Sequence, residues 1–280
     1  MRLKYFKPSD DLRSLLTVLA IADGVDAPVE ERFPAMLPNL HIRLGGSSTY
    51  RMAGDRAIDA PRVALVGPTT AAYRMTLGAG LRVIATGFLP AGWARCVSAP
   101  AGELADTVVD GEAIWGPRAV DRLCERLAAA GSEAAMCRIV EEFLLAATRA
   151  DEDYARSPAF VVDRWLEHSR GLSLAALQSA LGCGERHMRR LVTVSHGASP
   201  KTLAIKYRAL RAAAALAVNG PGLLGEVMTP YADQAHFIRD FQRFTGWTPR
   251  AFLAGGSTVA AHTLAGRKRA GIVRPLSLWS

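Results

Sequence analysis

Cysteine is scarce in this chain, and the four residues present, Cys96, Cys124, Cys137 and Cys183, form no CxxC pair. A disulfide framework is therefore not expected: 280 residues can bury enough core to fold without cross-links, and the thiols should be buried and reduced. Long apolar runs are also missing. Ser14 to Ala22, the longest uncharged run near the start, is too short to span a bilayer and follows Asp10 and Asp11, so no membrane association is expected. A signal peptide ending near Ala22 is the alternative, but acidic residues are unusual ahead of such a segment. The expected location is the cytoplasm.

Histidine is thin as well: the first 160 residues contain only His41, which excludes a His-rich metal centre there, and no metal or cofactor is expected. There is no GxSxG, no HExxH and no Walker A lysine, while Gly78-Ala-Gly80 and Gly182-Cys-Gly184 lack the rest of a dinucleotide-binding motif. Cys183 near His187 is the one pairing that suggests a nucleophile, and it falls in a turn. An enzyme is not expected.

What is present is ordinary globular composition, 50% hydrophobic and 21% charged, which rules out a disordered or fibrous chain. Charge is unevenly placed. Residues 1–157 carry 18 basic and 20 acidic side chains, net −2, whereas residues 158–280 carry 16 basic and 6 acidic, net +10. That second half favours a polyanion, nucleic acid or an anionic membrane surface, unless the excess only reflects arginine-rich coding. Spacing has to decide.

Up to about Trp115 the chain consists of short apolar runs punctuated by Gly and Pro, among them Leu40 to Leu44, Val63 to Val66, Ala72 to Leu77 and Leu81 to Phe88, which reads as a β domain. From Pro117 the period becomes helical. Val120, Leu123 and Leu127, then Ile139, Val140, Phe143 and Leu144, predict two helices broken at Gly131-Ser132. Arg149 to Pro158 is a hinge or helix end, and everything beyond it reads as helix.

Ser173 caps a short helix over Leu174 to Leu181, Gly182-Cys183-Gly184 turns the chain, and Glu185 to Val194 forms the next helix, which is the helix-turn-helix pattern. Ser199-Pro200 opens a longer helix to about Val218. The pattern then repeats with Leu223 to Thr229, a turn at Pro230 to Ala232, an Asp233 cap and a helix over Gln234 to Thr245. In the first unit Arg186, Arg189 and Arg190 share one face at i, i+3 and i+4, opposite Met188, Leu191 and Val192. Guanidinium forks so placed can reach guanine O6 and N7, or phosphate. In the second unit Phe237, Phe241 and Phe244 form a core stripe, leaving Gln234, Arg239 and Gln242 on other faces. A connecting helix of about 20 residues spans roughly 30 Å, close to one turn of B-DNA, so the two helices could enter successive major grooves. A solvated basic face is the alternative for each.

The stretch Ser173 to Phe252, with Arg186-His-Met-Arg-Arg190, Gly197-Ala-Ser-Pro-Lys201, Arg208-Ala-Leu-Arg-Ala212 and Tyr231 to Pro249, resembles the double helix-turn-helix domain of AraC/XylS-type bacterial transcription regulators. The resemblance implies groove contacts from Arg186, Arg189 and Arg190 and from Gln234, Ala235 and Arg239, with Lys201 touching phosphate. The chain departs from the family pattern at Gln178, Glu226, Pro230 and Gly184. Glu226 is expected to rotate outward, or its helix to be short and irregular, because burying it would carry a desolvation cost. Residues 1–110 are similar to the small cupin-like β-barrel domain that precedes such domains, on Arg32 to Pro38, Val66-Gly-Pro68, Phe88 to Gly92 and a helical Gly102 to Thr107.

The expected architecture is therefore α+β. It comprises a cupin-like β-barrel regulatory domain at 1–110, a helical coupling or dimerisation segment at 111–157, a double helix-turn-helix domain at 158–254 and a basic tail at 255–280. The expected function is sequence-specific DNA binding in transcription regulation. Candidate partners are double-stranded DNA, a small-molecule effector, RNA polymerase and a second copy of the chain. The competing reading is a basic interaction module that binds an acidic partner or nucleic acid without sequence preference.

Overall fold

The computed structural model describes residues 1–52, 54, 56–149, 154–169 and 171–255. The basic tail, with Arg267, Lys268, Arg269, Arg274 and Trp279, lies outside the described residues, as do residues 150–153 of the hinge. The first half runs β1 (Arg2–Phe6), β2 (Leu16–Asp23), β3 (Val29–Phe33), β4 (Asn39–Gly45), β5 (Ser48–Arg51), β6 (Ala57–Asp59), β7 (Val63–Val66), β8 (Tyr73–Leu77) and β9 (Arg82–Phe88). Helix α1 (Pro90–Cys96), β10 (Val108–Asp110), α2 (Glu112–Trp115), α3 (Pro117–Ala128) and α4 (Glu133–Ala147) follow. The second half is helical: α5 (Pro158–His168), α6 (Leu174–Leu181), α7 (Glu185–His196), α8 (Pro200–Asn219), α9 (Leu224–Met228), α10 (Gln234–Thr245) and α11 (Pro249–Leu253). The architecture is α+β, as the sequence indicates. Among the described residues no helix is long and apolar enough to cross a membrane.

The strands form two antiparallel sheets rather than one closed barrel, in the orders β1-β2-β9-β4-β7-β10 and β3-β8-β5-β6. Period-2 alternation explains why β7, Val63-Ala-Leu-Val, is buried on both faces. Val63 and Leu65 join Leu40, Ile42, Ile84 and Phe88 against α1, α3 and α4, while Ala64 and Val66 join Tyr50, Tyr73, Met75 and Leu77 between the sheets. Helices α3 and α4 present Val120, Leu123, Leu127, Met136, Val140 and Leu144 to the first of these cores. Gly102 to Thr107 is a run of turns, not the expected helix. Asp106 there takes a left-handed φ of 55°, and its carboxylate accepts the Thr70 N–H at 2.7 Å. A helix would lose that tie.

Three of the four thiols, Cys96, Cys124 and Cys137, are buried, and Cys183 is half-buried. Burial pushes Cys96 up to about 11 and Cys137 up to about 12, so both stay protonated and unreactive at neutral pH.

His41 points the other way from Leu40 and Ile42, into the space between the sheets. Its register partners are Ala64 and Ala85, whose small side chains leave a cavity of about 120 Å³ beside it. Tyr50 Oη lies within hydrogen-bond distance of His41 Nδ1, at 2.6 Å, and burial lowers His41 to about 4, so the imidazole is neutral near pH 7. An unfolded histidine takes up a proton near pH 6.5. Folding stability is therefore expected to fall by up to about 3 kcal/mol between pH 6.5 and 4 and to level off below. Chemical denaturation of the chain and of His41→Gln across that range tests this: the slope should largely disappear in the variant.

Candidate nucleic-acid interface

The first helix-turn-helix unit is built as its sequence suggests. Ser173 Oγ accepts the Ala176 N–H at 3.3 Å to start α6, and Gly182, in the left-handed region at φ 60°, ends it. In α7, Met188 and Val192 are buried, packed with Val162, Trp165, Leu166, Leu177 and Leu203, while Arg186, Arg189 and Arg190 are exposed. With Gly184 at the cap position no side chain covers the first amides of α7, so these donors and the three guanidiniums face the same solvent. Lys201 is exposed in the first turn of α8, whose cap is Ser199.

The second unit shares α8 as its base. Phe237, Phe241 and Phe244 of α10 are 0–1% exposed and pack with Leu210, Ala213, Leu216 and Tyr231. Asp233 Oδ1 caps α10 by accepting the His236 N–H at 2.7 Å. Gln234, Ala235 and Arg239 are exposed, as is Gln242. The preceding helix is short: a 3-10 turn at Gly220–Leu223 leads into α9, only 5 residues long, and Glu226 is exposed on it. The carboxylate thus stays hydrated, and the helix gives up length instead.

Sequence reasoning missed two buried polar groups behind this surface. Asp163 of α5 is only 8% exposed; its Oδ1 lies 2.8 Å from His196 Nε2, and Tyr154 donates to Oδ2 at 2.8 Å. Ser195 Oγ, 2.7 Å from His196 Nδ1, completes a Ser–His–Asp chain. The adjacent space is only about 10 Å³, room for at most one water, so the chain ties α5 to α7 and leaves no place for a substrate. The second group is Lys206, 4% exposed within the otherwise apolar row Leu203, Ala204, Tyr207 and Leu210 of α8. A lysine inside a helix's apolar stripe was the available signal.

Residues 177–255 match the family model described as "Helix-turn-helix domain". No curated protein matches the chain. Among solved structures, ToxT from Vibrio cholerae O395 is similar at 9% identity with a TM-score of 0.48, covering 85% of this chain and 97% of that one. Wild-type ToxT from Vibrio cholerae strain SCE256 with bound unsaturated fatty acid is similar at 10% identity and TM-score 0.45, over 87% and 98% of the two chains. The AraC-like transcriptional activator CuxR is similar at 15% identity and TM-score 0.30, over 75% and 85%. Two helix-turn-helix units on one shared helix, with their cationic and amide side chains outward, agree with the match to the family model: residues 177–255 form a helix-turn-helix domain.

Proposed function

We propose that the chain is a sequence-specific regulator of transcription. In it Arg186, Arg189 and Arg190 read one major-groove segment, Gln234, Ala235 and Arg239 read the next, and Lys201 contacts phosphate. The observation that carries this is the pairing of two exposed reading faces across α8, a single 20-residue helix and so a rigid spacer roughly 30 Å long. The net charge of +10 over residues 158–280 supplies sequence-independent affinity, and the guanidinium and amide groups supply discrimination.

Residues 1–110 act as the regulatory domain and 158–254 as the reader. The cavity beside His41 gives the β domain room for a small effector; a second copy of the chain is the other route by which it could modulate the reader. RNA polymerase would be met at the promoter, in the cytoplasm, and no step of this activity is catalytic.

Selection of bound duplexes from a random library, at several salt concentrations, tests the reading. A motif about 20 base pairs long, two half-sites one helical turn apart, is expected to emerge. Binding that weakens with salt but enriches no motif, with or without candidate small molecules, would replace the proposal with non-specific binding.

A further inference from the structure

The β domain meets the two helix-turn-helix units in different ways. Near the end of α7, Val194 O accepts the Ala101 N–H at 2.8 Å, and Ala101 belongs to the core shared with α1, α3 and α4. At the end of α10, Arg243 O and Phe244 O accept from the Ala72 and Ala35 amides at 2.8 and 2.7 Å, and Arg32 Nη1 donates to Gly246 O at 3.0 Å. These carbonyls are acceptors that a helix end leaves without internal partners. Ala35 goes further: fully buried, it belongs to the second unit's own core, with Leu210, Phe241 and Phe244. Among the described residues the first unit's core holds nothing from the β domain.

The two segments that dock on α10 extend from paired strands. β3 ends at Phe33 and β8 begins at Tyr73; these residues are register partners, and their rings stack with centroids 5.4 Å apart. Ala35 lies just beyond the first strand and Ala72 just before the second. Thr69 Oγ1 accepts the Met36 N–H at 2.7 Å, and Lys206 Nζ of α8 donates to Met36 O and Thr69 O, each at 2.8 Å, so the two segments are clamped as one piece. In the other direction the rings continue from Tyr73 to Tyr50 at 6.4 Å and from Tyr50 to His41 at 6.0 Å. Phe33, Tyr50 and His41 line the cavity between the sheets. A row of packed rings therefore runs from the cavity wall to the end of α10, whereas Ala101 sits in the separate core on the far side of the six-stranded sheet.

We propose that the β domain acts selectively on α10: an occupant of the cavity displaces the aromatic row and loosens the docking of Ala35 and Ala72 on the end of that helix, leaving α7 in place. The inference deepens the effector role given to the cavity above and rests on it. The bistable element is the docking itself, made or broken. β3 is an edge strand, paired on one side only, and so is the wall that yields at least cost. The two amide bonds at 2.7 and 2.8 Å lie at the short end of the N–H···O range, so displacement weakens them.

A side chain can serve as the occupant. Ala85 is a register partner of His41 and lines the cavity, and Ala85→Leu puts a branched side chain into it. In hydrogen exchange on the full chain, protection of the Ala35 and Ala72 amides should fall by about tenfold or more in this variant, while that of Ala101 stays within about threefold. On selected duplexes, the half-site read by Gln234, Ala235 and Arg239 should lose protection and the Arg186–Arg190 half-site should keep it. Unchanged exchange at Ala35 and Ala72, or an equal loss at Ala101, overturns the proposal. The native chain gives a test that needs no substitution and decides the matter even if the variant does not fold. In exchange at rising, sub-denaturing urea, the Ala35 and Ala72 amides should open in one step with the amides of α10 and apart from those of α7. Ala35 and Ala72 opening apart from α10, or α7 opening in the same step, also overturns it. Failure to enrich any motif would sink the DNA reading while leaving the exchange results standing.

Discussion

Arg189→Ala is expected to weaken binding to the selected motif by roughly 1–3 kcal/mol and to relax preference at one base position. The side chain is exposed at the centre of the cationic face of α7, and the buried Met188 and Val192 on the opposite face hold the helix in place without it. Replacing an exposed arginine leaves that packing intact, so stability should stay within about 0.5 kcal/mol of the native chain. Removing Arg186 and Arg190 as well should bring the loss to roughly 3–6 kcal/mol, if two or more of the three reach base edges, and shallow the salt dependence. Competition binding against duplexes with single-base changes separates the roles. A loss equal on all sequences would make Arg189 a phosphate contact, and no loss would remove α7 from the interface.

Phe241→Ala is expected to destabilise the chain by roughly 3–5 kcal/mol. Phe241 is fully buried, with ring centroids 5.5 Å from both Phe237 and Phe252, so truncation opens a cavity at the middle of α10. The first unit has a separate core built on Val162, Leu166, Leu177, Met188 and Leu203. The consequence for DNA should be one-sided: protection of the half-site read by Gln234, Ala235 and Arg239 is lost first on warming, while the Arg186–Arg190 half-site persists. Thermal melting gives the stability change and footprinting at rising temperature gives the asymmetry. Simultaneous loss of both half-sites would show that the units unfold as one. Phe241→Leu, which preserves most of the volume, should cost under about 1.5 kcal/mol and retain both.

Helices α7 and α10 were legible in the sequence because their signals are local. Ser173, Ser199 and Asp233 each cap the helix they precede, accepting an N–H three residues on. The arginine face of α7 and the phenylalanine stripe of α10 follow from the 3.6-residue period alone. The cost of burying a carboxylate left Glu226 either turned outward or on a short helix, and the structure has both.

The turn run at Gly102 to Thr107 was not legible, because its shape is set by Thr70, 36 residues earlier in the chain, whose amide bonds Asp106. Nor was the open pair of sheets: alternation shows that a strand has two faces but not which strands become neighbours, and in β7 both faces are apolar.

The sequence by itself thus determined helices α7 and α10, their outward residues, the net +10 of residues 158–280 and the β character of the first half. Only the tertiary structure decided that Asp163 and His196 meet in the interior, that His41 lines a cavity, and that Lys206 reaches carbonyls 137 and 170 residues away. The physical reason is common to all three. A polar side chain enters the interior only where partners from distant segments satisfy it, and those partners exist only once the chain has folded.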